Sequence, residues 1–365
     1  MLFYLTDTLI IERTSPQFAN IRKAVRYIAM AVLESKHLLR GDYDVLKFMA
    51  REFVSDEEIF PVFHQLVTRY STYTVPDDIC RYVEVVLDGY DNYEKDGHKV
   101  KQMPYTFFDD SMKVQAMTVV AEDEDDCALF GYILKYYMNT RHLHYNCYYT
   151  TQGGGGSRTD VAVRSNLKAG QMVTCITDSD QRFEGQALDP RSCGVKCGKI
   201  KAMDKIYYFL RLPVLEAENL IPLNHFNELD WSHEANRKDK EAFDLLCYNA
   251  HSEKILPYFD MKEGIKKEYI LQFGDGMEKY AAMCCYCNPE VMGGKSFQEY
   301  VAGLKPEDLV YPRLRKRPMG ELAPKYRKGE LPEPELMEFQ IEAWSEIAAL
   351  LLDATCARFK EAITV

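Results

Sequence analysis

Apolar residues recur at helical spacing over residues 17–39 (Ile21, Val25, Ile28, Ala29, Val32, Leu33), with Ser15-Pro16 as a start signal. Residues 43–54, 56–70 and 76–87 repeat the pattern behind Asp42, Ser55 and Pro76-Asp-Asp, so each predicts a helix. Residues 88–104 are polar and aperiodic and read as a linker. Residues 1–104 therefore predict a mainly helical N-terminal domain. From about 112 to 230 the rhythm changes, and short apolar runs alternate with helical ones. Strands are predicted at Met117–Ala121, 142–150, 172–177 and 206–210, with helices at 126–139 and 159–167. Residues 231–365 return to helix, at 240–250, 264–271, 296–304 and a long stretch over 333–362. That last stretch carries Leu336, Phe339, Ile341, Trp344, Ile347, Leu350 and Leu351 on one broad face. The chain shows no internal repeat.

Strand–helix alternation predicts an α/β core with a parallel sheet, flanked by helical regions. The ends of its strands are acidic. Met117-Thr-Val-Val-Ala121 runs into Glu122-Asp-Glu-Asp-Asp126, and Met172-Val-Thr-Cys-Ile-Thr177 into Asp178-Ser-Asp180. Residues 206–210 lead to a third cluster, Leu215-Glu-Ala-Glu218-Asn219-Leu220. Alternation along a strand places Asp178 and Asp180 on one side. Like charges that close are unfavourable unless a cation lies between them. Parallel sheets bind ligands at this carboxyl edge. Each acidic run also has a plain reading, as a helix start or a polar turn; their shared placement favours a metal site.

The composition of the 365 residues, 47% hydrophobic and 28% charged, is that of a globular protein long enough for two or three domains. No apolar run reaches the ~20 residues of a membrane helix, and the N-terminus lacks the basic start of a signal peptide. Eleven unevenly spaced cysteines suggest reduced thiols and a cytoplasmic location. A net charge of −11 argues against binding nucleic acid over the whole surface, and leaves room for a local basic groove.

Three further stretches carry alternatives. Gly153-Gly-Gly-Gly156-Ser157 reads as an engineered spacer or as a natural loop whose amides meet an anion at a helix start. Cys193-x3-Cys197 and Cys284-Cys285-x-Cys287 would supply four thiolates to zinc, although buried thiols are the more ordinary reading. Arg313, Arg315, Lys316, Arg317, Lys325, Arg327 and Lys328 form a basic stretch that could follow a nucleic-acid backbone, with Tyr311 and Tyr326 to stack.

Glu122 through Asp126, the Asp178-Ser-Asp180 strand end and the Gly-rich loop between them resemble a Toprim domain. The Glu122–Asp126 spacing is that of the overcoming-lysogenization-defect type, with Asp123 in place of the usual Gly. Leu215-Glu-Ala-Glu218-Asn219-Leu220 is similar to a segment of Toprim nucleases from bacterial anti-phage defence. The resemblance covers about residues 112–230 and implies a Toprim-like parallel sheet. It also implies a metal-dependent nuclease using Mg²⁺ or Mn²⁺, held by Glu122, Asp178 and Asp180, with Asp126 and Glu218 completing or supporting a second site. Hard oxygen ligands suit that ion, and two cations can serve phosphodiester cleavage. Glu122 would be ligand or base, and Lys262 would stabilise developing negative charge. Nucleic acid, DNA or tRNA, is the implied partner. An ATPase would be a separate chain, since no Gly-x4-Gly-Lys-Ser/Thr loop occurs, and a homodimer is compatible. The rival expectation is a non-catalytic scaffold or nucleotide sensor.

Overall fold

The structure, a computed structural model, describes residues 1–70 and 75–357. The N-terminal region is not all-helical: it builds a five-stranded sheet. Its elements are β1 (Leu2–Leu5), α1 (Phe18–Leu33), β2 (Leu38–Gly41), α2 (Tyr43–Glu52), α3 (Phe60–Thr68), β3 (Arg81–Val86), β4 (Asp91–Lys95) and β5 (His98–Pro104). The order is β2-β1-β3-β5-β4, parallel except for the edge strand β4. Arg81-Tyr-Val-Glu-Val-Val86, expected as helix, is too short and too β-branched for one, and it fills the sheet interior. The expected linker is the β4–β5 hairpin. Its two turn residues, Asp96 and Gly97, both have positive φ (51° and 82°), as a tight hairpin requires.

The central region follows the expected alternation: β6 (Met117–Ala121), α4 (Glu124–Thr140), β7 (Asn146–Cys147), β8 (Tyr149–Gly153), α5 (Thr159–Lys168), β9 (Val173–Thr177), α6 (Cys193–Gly198) and β10 (Tyr207–Arg211). A four-stranded, all-parallel sheet results, in the order β10-β9-β6-β8. Every residue of β6 and β9 is buried, as expected where helices cover both faces. Val120, Val173 and Cys175 face Val163 and Leu167 of α5 and Cys193 and Cys197 of α6. The other face meets α4 in the main core. The chain leaves β6 for β8 on one side, then crosses over to β9 on the other. The connections after β6 and β9 therefore diverge and open a crevice between Glu122 and Asp178.

The C-terminal region adds α7 (Glu234–Cys247), α8 (Ser252–Ile255), β11 (Ile265–Lys266), α9 (Lys267–Phe273), α10 (Asp275–Cys287), α11 (Phe297–Ala302), β12 (Leu309–Tyr311), α12 (Pro318–Lys328), α13 (Glu338–Thr355) and β13 (Cys356–Ala357). β11 pairs with β12, and β13 pairs with β7. The helix expected over 333–362 begins at Glu338, and positions 358–362 lie outside the described residues. α13 grips both halves of the molecule. Gln340 Nε2 donates to Asn219 O (3.1 Å) and Ile221 O (2.9 Å), and Trp344 Nε1 to Leu220 O (3.0 Å). Asp353 accepts from Cys80 N (2.7 Å) beside β3. Among the described residues, no helix is long and apolar enough to cross a membrane.

Candidate metal and phosphate cleft

β6 ends in Glu122 because its apolar run stops there and Asp123 caps the next helix. Asp123 accepts from Asp125 N (3.2 Å), and Asp126 Oδ2 accepts from Asp123 N (2.9 Å), a reciprocal capping box. Asp123 thus does useful work in place of glycine. The Gly-rich loop locks this turn instead of cradling an anion. The amides of Gly154, Gly155 and Gly156 donate to Ala121 O (2.7 Å) and Glu122 O (3.1 Å each). Gly154 has no room for a side chain, since a Cβ there would lie 2.2 Å from Thr159 Oγ1, and Gly155 is left-handed (φ 79°). The glycines are demanded by the fold, which fits a natural loop. Gly154→Ala is expected to lower stability by about 1–3 kcal/mol, the usual cost of overpacking, measured as a lower urea midpoint with unchanged slope.

The parallel register carries Glu122 and Asp178 out of the same sheet edge. Glu122 Oε1 is buried with no hydrogen-bond partner, and Glu122 lies close enough to Asp178 to raise the latter's carboxyl. Burial, then the nearby Cys193 thiol and Asp180, push the Glu122 carboxyl up to about 7. Asp178 Oδ1 accepts from Ala217 N (3.0 Å), which ties the second acidic strand end to the third. Burial raises the Asp178 carboxyl well above the carboxylate range, and Glu122, Asp126, Glu216 and Glu218 add to the effect. Asp126 and Glu216 are each pushed to about 7, by burial first and by Glu218 second. Asp180 is exposed on the same cleft with left-handed backbone (φ 60°), and burial and Asp189 raise its carboxyl against the opposing pull of Arg182.

Lys262 enters this cluster. Its ammonium lies 2.8 Å from Glu218 Oε1 and 3.3 Å from Glu216 Oε2. Burial alone lowers its pKa, but the two glutamates outweigh that and raise it. Asn219 fixes this third cluster: its Oδ1 accepts from Glu216 N (2.9 Å), and its Nδ2 donates to Leu256 O (2.7 Å) and Phe259 O (2.9 Å).

The cleft has a volume of about 790 Å³. It is lined by the acidic strand ends and by Arg313, Leu314, Arg315, Lys316 and Arg317 with the first turn of α12. Arg315 leans on Asp239 (3.7 Å) and Lys316 on Glu321 (2.5 Å), whereas Arg313 and Arg317 are exposed and form no ion pair among the described residues. The rest of the expected basic stretch lies outside the cleft. Lys325 bonds Glu228 O (2.8 Å), Arg327 pairs with Asp125 (2.9 Å) and Lys328 with Glu330 (3.9 Å). Helix α12 turns these residues away. Tyr311 (0% exposed) and Tyr326 (3%) are core residues and cannot stack on bases. Nor do the two cysteine sets meet: Cys193 and Cys197 face the small α5–α6 core, while Cys284 and Cys285 lie in the main core.

The donors suit a hard divalent cation. All are carboxylate oxygens, one of them buried without a partner, and the electrostatic strain among them is what such an ion relieves. Among the described residues, no three His, Cys, Asp or Glu side chains already form a cage, and Lys262 holds two of the carboxylates. A bound ion would therefore require side-chain rotation. Sequence reasoning missed Glu216, whose signal was its place two residues before Glu218. It also missed Asp260 and Arg182, which lie outside every motif. Comparison with protein-family models, curated proteins and solved structures returns no match.

Proposed function

We propose that this chain is a metal-dependent nuclease with a Toprim-like core over about residues 112–230, acting on DNA or tRNA, as the effector of a bacterial anti-phage defence system. The observation that carries this reading is the lining of one cleft by both the acidic strand ends and the basic segment Arg313–Arg317. A phosphodiester is an anion that needs cations beside its reacting phosphorus; a basic lining alone would bind it, and an acidic lining alone would repel it. Glu122, Asp178 and Asp180 would hold Mg²⁺ or Mn²⁺, with Asp126 and Glu218 supporting a second position. The ion supplies Lewis-acid stabilisation of the phosphoryl oxygens. Arg313 and Arg317 bind the flanking phosphates and orient the strand. Where Asp178 and Asp180 alone hold the ion, Glu122, at about 7 without metal, would instead serve as the base that takes a proton from an attacking water. Lys262 offers a positive charge to the oxygens of the reacting phosphate once Glu218 and Glu216 release it. The test is cleavage of labelled DNA and tRNA by the purified chain with Mg²⁺ or Mn²⁺, alone and with a candidate ATPase partner. Loss of cutting in Asp178→Ala with Asp180→Ala is the expected result.

The basic segment makes a separate prediction. Arg313→Ala with Arg317→Ala should weaken nucleic-acid binding and reduce the slope of log K against log salt by about 2, one for each phosphate contact. Lys328→Ala should leave both unchanged. An unaltered salt slope in the double variant would remove the basic segment from the binding site.

A second reading has its own support. Lys262 pairs with both Glu216 and Glu218 in the described arrangement, an internal pairing that a non-catalytic scaffold or a nucleotide sensor would keep. In that protein, substitution of the acidic strand ends would leave biological activity intact.

A further inference from the structure

Asp260 bonds both the segment that follows Asp180 and the segment that carries Lys262. Its carboxylate is buried (4% exposed) and bonds in two directions. Oδ1 accepts from Lys262 N (3.1 Å) and Glu263 N (2.7 Å), and Oδ2 accepts from Arg182 Nη1 (2.7 Å). Arg182 follows Asp180 by two residues, and its guanidinium lies 4.1 Å from the centre of the Tyr269 ring. Its backbone N–H is held by Gln186 Oε1 (2.6 Å), which keeps the 178–186 turn closed on itself. A large shift of the loop carrying Asp178 and Asp180 against the loop carrying Lys262 would therefore strain a short, part-buried, charge-assisted hydrogen bond.

We propose that Asp260 and Arg182 are positioning residues that fix the Lys262 backbone to the Asp178–Asp180 loop, so that the cleft's affinity for a divalent cation depends on an ion pair that need not touch the ion. The inference rests on the metal-site reading above. A buried ion pair is weak as a source of stability, because desolvation offsets most of its attraction. Its value here is geometric. It joins the two loops that must move together if Lys262 is to leave Glu218 while the strand-end carboxylates turn toward a cation. Partners behind metal ligands typically change metal affinity by about 10–100-fold when removed.

The experiment is Mn²⁺ titration of the full chain, free of nucleic acid, followed by electron paramagnetic resonance, with the metal-free melting temperature measured alongside. Removing Arg182 alone would strand the buried Asp260 charge, so the first variant is the neutral pair Arg182→Gln with Asp260→Asn. The asparagine oxygen can still accept from Lys262 N and Glu263 N. The second is Tyr269→Leu, which removes the ring beneath the guanidinium and no charge. The expected result is a Kd for Mn²⁺ weakened about tenfold in the neutral pair and to a lesser degree in Tyr269→Leu, with metal-free melting close to that of the unmodified protein. A purely structural pair would lower the melting temperature and leave the Kd of the folded protein unchanged, and that outcome overturns the proposal. If the neutral pair does not fold, Tyr269→Leu decides, and an unchanged Kd there overturns it equally. Mn²⁺ binding that is lost in Asp178→Ala with Asp180→Ala but unaffected in these variants removes the positioning role alone. No Mn²⁺ binding by the unmodified chain removes the metal site and the positioning role together.

Discussion

Glu122→Ala should abolish metal-dependent cleavage and leave the protein at least as stable as before. Several kcal/mol of transition-state charge stabilisation are at stake when a metal ligand goes, so a rate loss of about a thousandfold or more is expected. Stability should move the other way. Glu122 Oε1 is buried without a partner, and its carboxyl is pushed to about 7 by burial, Cys193 and Asp180, so its removal relieves a penalty. An increase of about 1 kcal/mol at pH 7.5 in metal-free buffer is the expected sign and size, as at other sites where function opposes stability. The two readouts together separate enzyme from scaffold. Full defence activity or toxicity in a folded Glu122→Ala protein would end the catalytic reading. So would a strongly destabilised variant with normal cutting per folded molecule. The cellular assay decides where a missing partner keeps the purified chain silent.

The second large effect is a linkage between protons, metal and stability. Glu122, Asp126 and Glu216 have carboxyls at about 7 when folded, against ordinary values of 4.5, 3.8 and 4.5. Between those limits the folded chain binds more protons than the unfolded one, so the stability they contribute is complete at low pH and lost as pH rises toward 7 and above. Metal-free protein should therefore lose stability from about pH 5 to 7.5, by an amount on the order of 2–3 kcal/mol after allowance for solvent in an open cleft. Mg²⁺ or Mn²⁺ bound at the proposed site would replace those protons. At a hundred times its Kd, the ion would add about 2.7 kcal/mol, a rise of about 3–4 °C in melting temperature at pH 7.5 for a chain of 365 residues. At pH 5.5, where protons compete, the rise should be small. Buried His37, held neutral, and Asp353, at about 7, also titrate, but they are remote from the cleft and cancel in the difference with and without metal. Asp178→Ala with Asp180→Ala should flatten the metal response. An equal response in that variant would place the ion elsewhere.

How much of this was legible in the chain depends on the range of the forces involved. The central sheet was readable because β6 and β9 are continuous apolar runs ending in acid, a signal written in consecutive residues. The N-terminal sheet was not. Arg81–Val86 has no periodicity that separates a six-residue strand from a helical turn, and only its neighbours β1 and β5 settle the matter. Asp96-Gly97 was a local hairpin signal that the polarity around it concealed. At the site, Glu122, Asp178, Asp180, Glu218 and Lys262 do share one cleft. Arg313 through Arg317 join them, although nothing in sequence distinguishes these from Lys325, Arg327 and Lys328, which α12 rotates onto other partners. The stacking role of Tyr311 and Tyr326 failed because aromatic side chains answer first to the core. Asp260 was invisible for a different reason: its partner Arg182, 78 residues away, is brought to it only by the fold.

The reach of α13 has a consequence for the order in which the molecule can assemble. Gln340 bonds Asn219 across 121 residues of chain, and Asp353 bonds Cys80 across 273. A polypeptide emerging from the ribosome has all the acidic strand ends outside the tunnel well before the helix that clamps the Glu216–Glu218 segment. Loop closure over such distances is slow compared with local structure. Until the chain has been made as far as Trp344, residues 219–221 lack the three hydrogen bonds that α13 gives them. The third acidic segment is thus the last part of the cleft that the chain can hold in place, as the Trp344 side chain docks on Leu220.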